Sequence, residues 1–272
     1  MIIKYVTSDG RKVNLNKEPY KMLVSDLIDY EWEVFTQANK ITGFGYGVKR
    51  KKLNIDVHRW LNVGARENMN ILTDVFESDL HKGSPGRIYI NNQYMNCFIV
   101  SSGKKSWESD NIVQCEYELV TDTPFWITEH HIQLLPSYKR EAVGDGLGFP
   151  FDFPYDFTRK NSGIETDRID HYKNSDFKMI FYGPCIDPLL KVNEHPYQIF
   201  TTLKEEEYLE IDSRTNSIYK YSKDGKPENI YNSRSFENSV FEKIPSGGIN
   251  LIWGGEFGID ITVYIERSEP KW

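Results

Sequence analysis

The stretch ARENMNILTDVFESDL, residues 65–80, is the one strongly helical pattern in a chain whose other periodic segments are short and alternate in polarity. Apolar residues recur in it at intervals of three or four positions and so fall on one stripe of a helix: Ala65, Met69, Leu72, Phe76 and Leu80. Gly83 follows the stripe, and glycine is common just beyond a helix C-terminus because it adopts the left-handed conformation. We therefore predict one packed helix that ends at Gly83.

Short alternating segments separated by turn residues surround this helix. Ser8-Asp9-Gly10 and Asn91-Asn92-Gln93 each predict a hairpin turn. Seven alternating segments follow from about residue 157, which is typical of a two-sheet sandwich. The predicted strands include residues 30–37, 45–57, 208–212 and 217–221. The predicted fold class is therefore mainly β, with an α+β N-terminal domain that contains one packed helix and a C-terminal β-sandwich.

The alternation stops between residues 128 and 156, where prolines and glycines interrupt the chain. Proline and glycine end regular structure more often than they continue it. We predict an N-terminal domain over residues 1–127, a linker rich in proline, glycine and aromatic residues over 128–156, and the β-sandwich over 157–272.

The charge of the chain argues against some classes of protein. A net charge of −7 disfavours a nucleic-acid surface, which needs clustered cations to meet the phosphates. The one basic run, Lys49-Arg50-Lys51-Lys52, lies in an alternating segment and predicts a solvated edge strand rather than a DNA patch. No stretch approaches the length of a membrane span.

Motifs for catalysis and metal binding are missing from the sequence. The signatures of serine hydrolases, phosphate-binding loops, dinucleotide folds and zinc proteases do not occur. Asp152 and Asp156 stand four residues apart, but aspartates beside glycine and proline more often bond to turn backbone than form an acid–base pair. Cys97, Cys115 and Cys185 share no paired spacing, which favours free thiols and leaves a Cys97–Cys115 pair open. We predict no enzymatic activity, no cofactor and no metal site.

A resemblance to a known family is carried by GFPFDFPYDF at 148–157, FYGPCIDP at 181–188, IPSGGINLIW at 244–253 and IERSEPKW at 265–272. Together these segments resemble the distal tail proteins (Dit family) of siphophages and related prophage tails. The resemblance covers nearly the whole chain. It implies a galectin-like fold for the C-terminal sandwich, and the sequence leaves open whether the last strand returns to the N-terminal domain, as it can in this family.

The resemblance also implies a structural role at the tip of a phage tail. Residues 1–127 would form a ring of six subunits that joins the tail tube protein to a tail-associated hub protein or adhesin. DNA would pass through the lumen of this ring without specific binding, and no membrane partner is implied. The protein would be synthesised in the cytoplasm of the bacterial host and located in the virion tail.

Four aromatic residues alternate along the predicted linker: Phe149, Phe151, Phe153 and Tyr155. Pro150 and Pro154 have a fixed φ and hold the residues before them in extended conformations. We predict that this stiff strip holds the two domains at a set angle. The alternative is a hydrophobic linker that only covers the edge of a core.

Carbohydrate binding that contributes to adsorption at the host surface is the alternative function. Trp253 and Glu256 resemble half of a galectin site, but the His-x-Asn-x-Arg stretch of that site is absent, since His195 is followed by Pro196-Tyr197. Sugar recognition needs several polar groups beside an aromatic platform. The sequence therefore favours a buried, structural Trp253, and we expect the ring of Trp272 to dock against the protein as well.

Overall fold

The computed structural model describes residues 1–23, 25–107, 109–136 and 163–272. Strands account for 53% of the structure and helix for 9%, which confirms the predicted mainly-β fold class. The chain divides into two compact units: unit 1 contains residues 1–128 and 266–272, and unit 2 contains residues 129–265. The predicted linker aromatics Phe149, Phe151, Phe153 and Tyr155 lie outside the described residues, so their role stays a prediction.

Unit 1 is built from antiparallel strands and one long helix. Its elements are β1 (Ile3–Val6), β2 (Lys12–Asn14), β3 (Tyr20–Met22), β4 (Glu33–Gln37), β5 (Lys40–Gly45), β6 (Lys49–His58), α1 (Ala65–Lys82), β7 (Gly86–Ile90), β8 (Gln93–Ser106), β9 (Ile112–Thr121) and the start of β10 (Trp126–Leu134). Strand β8 belongs to two runs of paired strands, β10-β8-β7-β1-β2 and β3-β6-β9-β8. These strands and α1 enclose a single apolar core.

Helix α1 is the predicted helix and, among the described residues, the only α-helix. It ends at Gly83, whose φ of +63° and N–H donation to the carbonyls of Asp79 and Leu80 match the predicted C-terminus. The predicted apolar stripe is wrong at Leu80, which is exposed, while Asp79 is fully buried. The reason is polar: the Asp79 carboxylate accepts hydrogen bonds from the Tyr5 hydroxyl (2.8 Å) and from the backbone N–H (2.8 Å) and hydroxyl (2.7 Å) of Ser8.

The basic run at the start of β6 is taken up by partners within unit 1. The Lys51 ammonium is buried and donates to the carbonyls of Asp26 (3.2 Å) and Asp29, and this burial lowers the pKa of Lys51. The other three cations form ion pairs: Lys49 with Glu33, Arg50 with Glu118, and Lys52 with Glu116. Three cations of the run are therefore paired with carboxylates and the fourth is buried, which does not suit a phosphate-binding patch.

The end of the chain is held in unit 1 by two hydrogen bonds between the backbone of Lys271 and the side chain of Gln93. The N–H of Lys271 donates to Gln93 Oε1 (2.8 Å), and the carbonyl of Lys271 accepts from Gln93 Nε2 (2.8 Å). Trp272 is 72% exposed. The expectation that its ring docks against the protein is therefore wrong, because the amide of Gln93 rather than a ring contact fastens this segment.

Unit 2 is a sandwich of two antiparallel sheets. Its elements are the rest of β10, β11 (Gly163–Ile169), β12 (Asp176–Tyr182), β13 (Cys185–Ile186), β14 (Leu189–Val192), β15 (His195–Gln198), β16 (Thr202–Leu203), β17 (Tyr208–Asp212), β18 (Ser217–Tyr221), β19 (Pro227–Asn229), β20 (Gly247–Trp253) and most of β21 (Ile259–Arg267). One sheet has the order β19-β18-β17-β12-β21-β10 and the other β11-β20-β14-β15. Inward side chains such as Phe177, Ile211 and Leu251 share one core.

Strand β10 corrects one expectation from the sequence. Residues 128–134 belong to this strand, although the sequence predicted that regular structure stops at residue 128. The segment contains His130, His131 and Gln133 and is largely half-buried or exposed, so it has no clear apolar alternation. Pairing with β21, beside which His131 Nδ1 lies 3.1 Å from Thr262 Oγ1, extends the strand instead. The predicted limits of independently folding domains stay predictions.

Candidate interaction surface

Strands β4 and β5 form a hairpin that is separate from the other sheets of unit 1. Within the described part of the chain, β4 pairs with β5 alone and β5 with β4 alone. Every residue of β4 is exposed. An isolated two-stranded hairpin is marginally stable in water, and its outer edges leave backbone N–H and C=O groups without strand partners. The β4–β5 hairpin thus has the character of a surface that pairs or packs with something else.

The turn of this hairpin has two residues. Gln37 pairs with Lys40, and Ala38 and Asn39 between them have φ values of +48° and +62°. Two central residues with positive φ are the signature of a type I′ turn, whose twist matches that of the flanking strands. Asn39 suits this conformation, whereas Ala38 adopts it at a cost in free energy.

One face of the hairpin is apolar and uncovered. Val34 pairs with Phe44, and Thr36 pairs with Ile41, so these four side chains point to the same side. The exposed fractions are 52% for Val34, 63% for Ile41 and 62% for Phe44. Three large apolar side chains on one small face are more than the scattered exposed residues that soluble proteins carry. We call Val34, Ile41 and Phe44 the apolar face.

On the opposite face, Phe35 lies across glycines of the neighbouring strand. Its ring carbons would stand 3.7 Å from a Cβ placed on Gly43 and 2.7 Å from one placed on Gly45. A side chain at position 45 would therefore collide with the ring. Because glycine has no side chain, the ring of Phe35 packs directly on the backbone of β5. The ring thereby replaces the side-chain packing that a glycine in a strand lacks.

The base of the hairpin is anchored in unit 1 by three aromatic rings. Trp32 precedes β4 and Tyr46 follows β5, and both pack on the buried Phe125, with ring centroids 5.8 Å and 4.6 Å from it. Glu33 adds an ion pair with Lys49 at 3.5 Å. The base is thereby held in place, while the apolar face beyond it stays uncovered.

The residues predicted as a glycan platform do not form one here. Trp253 is 5% exposed, its indole N–H donates to the carbonyl of Phe257 (3.2 Å), and its ring packs against the backbone at Gly163. A buried ring offers no face for a sugar to stack on. Glu256 is exposed. The prediction of carbohydrate binding is not tested by this geometry, but Trp253 does not supply its platform.

The three cysteines form no disulfide with one another. Cys97 and Cys115 are buried and Cys185 is half-buried, all three are free thiols, and burial raises the pKa of each. No group of three or more metal-ligating side chains occurs in the residues that the structure describes. Asp152 and Asp156 lie outside those residues. None of the helices in the described ranges is long and apolar enough to cross a membrane.

The sequence did not predict the β4–β5 hairpin as a unit. It predicted strands over residues 30–37 and 45–57 but none over Lys40–Gly45. The available signal was Asn39 between two apolar segments, which is weaker than Asn-Gly or Asp-Gly. Gly43 and Gly45 also lower the strand tendency of β5, although they are the positions over which Phe35 packs.

Comparisons with known proteins place this architecture among phage tail structures. No family model and no curated protein sequence matches the chain. The structure of the phage P2 baseplate in its activated conformation with Ca matches with a TM-score of 0.62 and 11% identity over 99% of this chain and 100% of that chain. The phage p2 baseplate with Sr matches with a TM-score of 0.62 and 10% identity over 99% of both chains.

A third solved structure extends the likeness to a distal tail protein. The SPP1 Dit protein, described as a paradigm of the hub adsorption apparatus in phages that infect Gram-positive bacteria, matches with a TM-score of 0.59. The identity is 7% over 98% of this chain and 100% of that chain. At such identities the likeness is one of fold. The chain therefore has the fold of phage baseplate and distal tail proteins, which confirms at that level the resemblance to the Dit family seen in the sequence.

Proposed function

We propose that the protein is a structural subunit of a phage distal tail, which assembles into a closed ring of six copies through unit 1. In this role it joins the tail tube protein on one side to a tail-associated hub protein or adhesin on the other. The fold shared over the full chain with baseplate and Dit structures supports this role. The observation that carries the proposal is the uncovered β4–β5 hairpin.

The hairpin suits contact with a second copy of the chain. Burying a large apolar side chain contributes about 1.5–3 kcal/mol, and the apolar face has three of them. The hairpin carries few charges, Glu33 and Lys40 among residues 33–45, so covering it removes little charge from water. A partner strand would also take up the free backbone groups of an outer edge.

A hairpin that docks on a different patch of the next copy makes a head-to-tail contact. Such contacts generate a ring when the rotation between copies closes, and a filament when it does not. A closed ring covers every hairpin once and leaves no end at which further copies add. Six copies is the number that the family resemblance implies.

The remaining parts of the proposal concern the passage of DNA and the absence of chemistry. The net charge of −7 favours a lumen that DNA crosses without binding, because like charges repel the phosphates. We propose that the protein has a structural role and is not an enzyme. It would be synthesised in the host cytoplasm and located in the virion tail. Cleavage of peptidoglycan by the purified protein would contradict this part.

The mass of the full chain in solution tests the ring. Light scattering is expected to give six times the subunit mass of 31.8 kDa. The triple substitution Val34→Ser, Ile41→Ser and Phe44→Ser is expected to give the mass of one chain with an unchanged circular dichroism spectrum, because the apolar face lies outside the core.

A matched control makes the same kind of change in unit 2. Ile164, Ile186 and Phe236 are exposed to 64%, 74% and 74%, and replacing all three with Ser is expected to leave the ring intact. A single-chain mass for the unaltered protein, or loss of the ring in the control alone, would count against the proposal.

A further inference from the structure

Unit 2 contains a cleft of about 470 Å³ that the ring proposal does not use. It lies between the end of β12 and the start of β21, with the segment 133–136 along one wall. Its volume falls within the range of about 300–1,000 Å³ that small-ligand sites occupy. All of its lining residues belong to unit 2.

Tyr182 forms an aromatic wall of this cleft and is held rigidly. Its hydroxyl donates to Asp260 Oδ2 at 2.7 Å. On the sheet, Tyr182 pairs with Tyr208, which pairs with Tyr221, and the rings of the last two are stacked with centroids 4.6 Å apart. Burial, and secondly the carboxylate of Asp260, raise the pKa of Tyr182 to about 12, so the hydroxyl stays protonated and keeps donating at neutral pH.

Polar and apolar residues both line the cleft. Glu256, Asp260 and Gln133 line the cleft with carboxylate and amide groups, and Leu135 and Pro184 supply apolar surface. The floor is Gly258, where a Cβ would meet the Tyr182 ring at 3.7 Å and the carbonyl of Leu134 at 3.6 Å. A ligand that fits must present hydroxyl or amine donors beside a compact apolar face.

We propose that this cleft binds a saccharide unit of a neutral or amino-sugar glycan. The C–H face of a sugar ring would pack on Tyr182, and its hydroxyls would donate to Glu256 and to Asp260. Two carboxylates in the cleft repel anionic polymers, so uronic acids and phosphate-linked chains are excluded. The inference is independent of the ring, since its residues all lie outside unit 1.

The site differs from the one predicted from the sequence. Trp253 was the expected platform, and it is buried in the core of unit 2, whereas Tyr182 is 39% exposed and lines the cleft. Glu256 is common to both. The carbohydrate hypothesis is thereby moved from the tryptophan to a tyrosine that no sequence pattern singled out.

Titration of the full chain with defined tetrasaccharides tests the proposal. Cellotetraose, maltotetraose, chitotetraose and tetraglucosamine serve as neutral and amino-sugar probes, and tetragalacturonate as the anionic probe. Ligand-observed NMR and calorimetry are expected to detect at least one of the first four and to find tetragalacturonate at least tenfold weaker. No binding by the first four, or binding by tetragalacturonate alone, overturns the proposal.

Variants then locate the binding. Gly258→Leu fills the floor of the cleft and is expected to weaken binding at least tenfold, as is Tyr182→Ala. Glu256→Lys, at an exposed position, is expected to keep the thermal transition and to reverse any preference for tetraglucosamine. Tyr172→Ala removes another exposed tyrosine of unit 2 that does not line the cleft, and it is the matched control. Unchanged affinity in Gly258→Leu and Tyr182→Ala, with thermal transitions retained, would place the sugar elsewhere and sink the proposal.

Discussion

Two hairpins of similar size, β4–β5 in unit 1 and β17–β18 in unit 2, have opposite relations to the rest of the protein. In β17–β18 the inward residues Leu209, Ile211 and Ile218 are fully buried, and the pair is flanked by β12 and β19. In β4–β5 the apolar face is open and no described strand flanks it. The first hairpin uses its apolar residues to fold unit 2, and the second leaves them exposed in the subunit, where they are available for the contact that we propose.

Replacing one isoleucine with alanine in each hairpin is expected to show this difference most strongly. Ile211→Ala is expected to destabilise unit 2 by about 2–5 kcal/mol, because it leaves a cavity in a packed core. Ile41→Ala, at a position 63% exposed, is expected to change subunit stability by less than about 0.5 kcal/mol. Urea titration below the concentration at which rings form measures both. Equal losses of stability would mean that the β4–β5 hairpin is part of a core.

The two hairpins also differ in how far the sequence predicted them. Strands β17 and β18 were predicted with the limits that the structure gives them, Tyr208–Asp212 and Ser217–Tyr221. Alternation of buried and exposed residues is strong there because one face packs on the core. Strand β5 was missed, since neither face of its hairpin is buried and the pattern that reveals a strand is an effect of burial.

Polar groups in the core were a second limit of prediction. The helix and its end at Gly83 follow from apolar spacing, but the burial of the Asp79 side chain does not. Its three hydrogen bonds come from Tyr5 and Ser8, more than 70 positions away in the chain. A pattern of local spacing cannot include such partners. The candidate cleft in unit 2 has the same character, because Tyr182 and Asp260 meet across two strands.

The glycines of β5 offer a finer test of the open hairpin. A methyl group at position 45 would stand 2.7 Å from the Phe35 ring, but one at position 43 would stand at 3.7 Å, an ordinary contact. Gly45→Ala is therefore expected to displace the ring and cost the hairpin about 1–3 kcal/mol. Dilution followed by light scattering should show the ring dissociating at a concentration about tenfold higher or more.

Gly43→Ala is the matched control for that change, in the same strand and two residues away. It is expected to leave ring dissociation within about twofold of the unaltered protein, since its methyl group meets Phe35 without overlap. If both variants dissociate alike, the packing of Phe35 on the glycine backbone has no part in ordering the hairpin, and the loss reflects alanine in β5 as such.

The smallest expected effect lies in the turns, where the comparison can be sharpened. Ala38 has a φ of +48° and Asn216, before β18, a φ of +49°. The left-handed conformation costs alanine about 1–2 kcal/mol, and asparagine tolerates it better. Glycine removes that cost but brings about 0.5–1 kcal/mol of extra chain entropy to be lost on folding. Ala38→Gly is therefore expected to favour the formed hairpin by up to about 1 kcal/mol and to tighten the ring by up to about fivefold.

Asn216→Gly should leave ring dissociation unchanged, because its turn lies in unit 2 and its hairpin is already fixed in a sheet. Dilution light scattering on both variants decides the point: a ring weakened by Ala38→Gly would show that residue 38 itself contacts the neighbouring copy, rather than limiting how often the hairpin is formed.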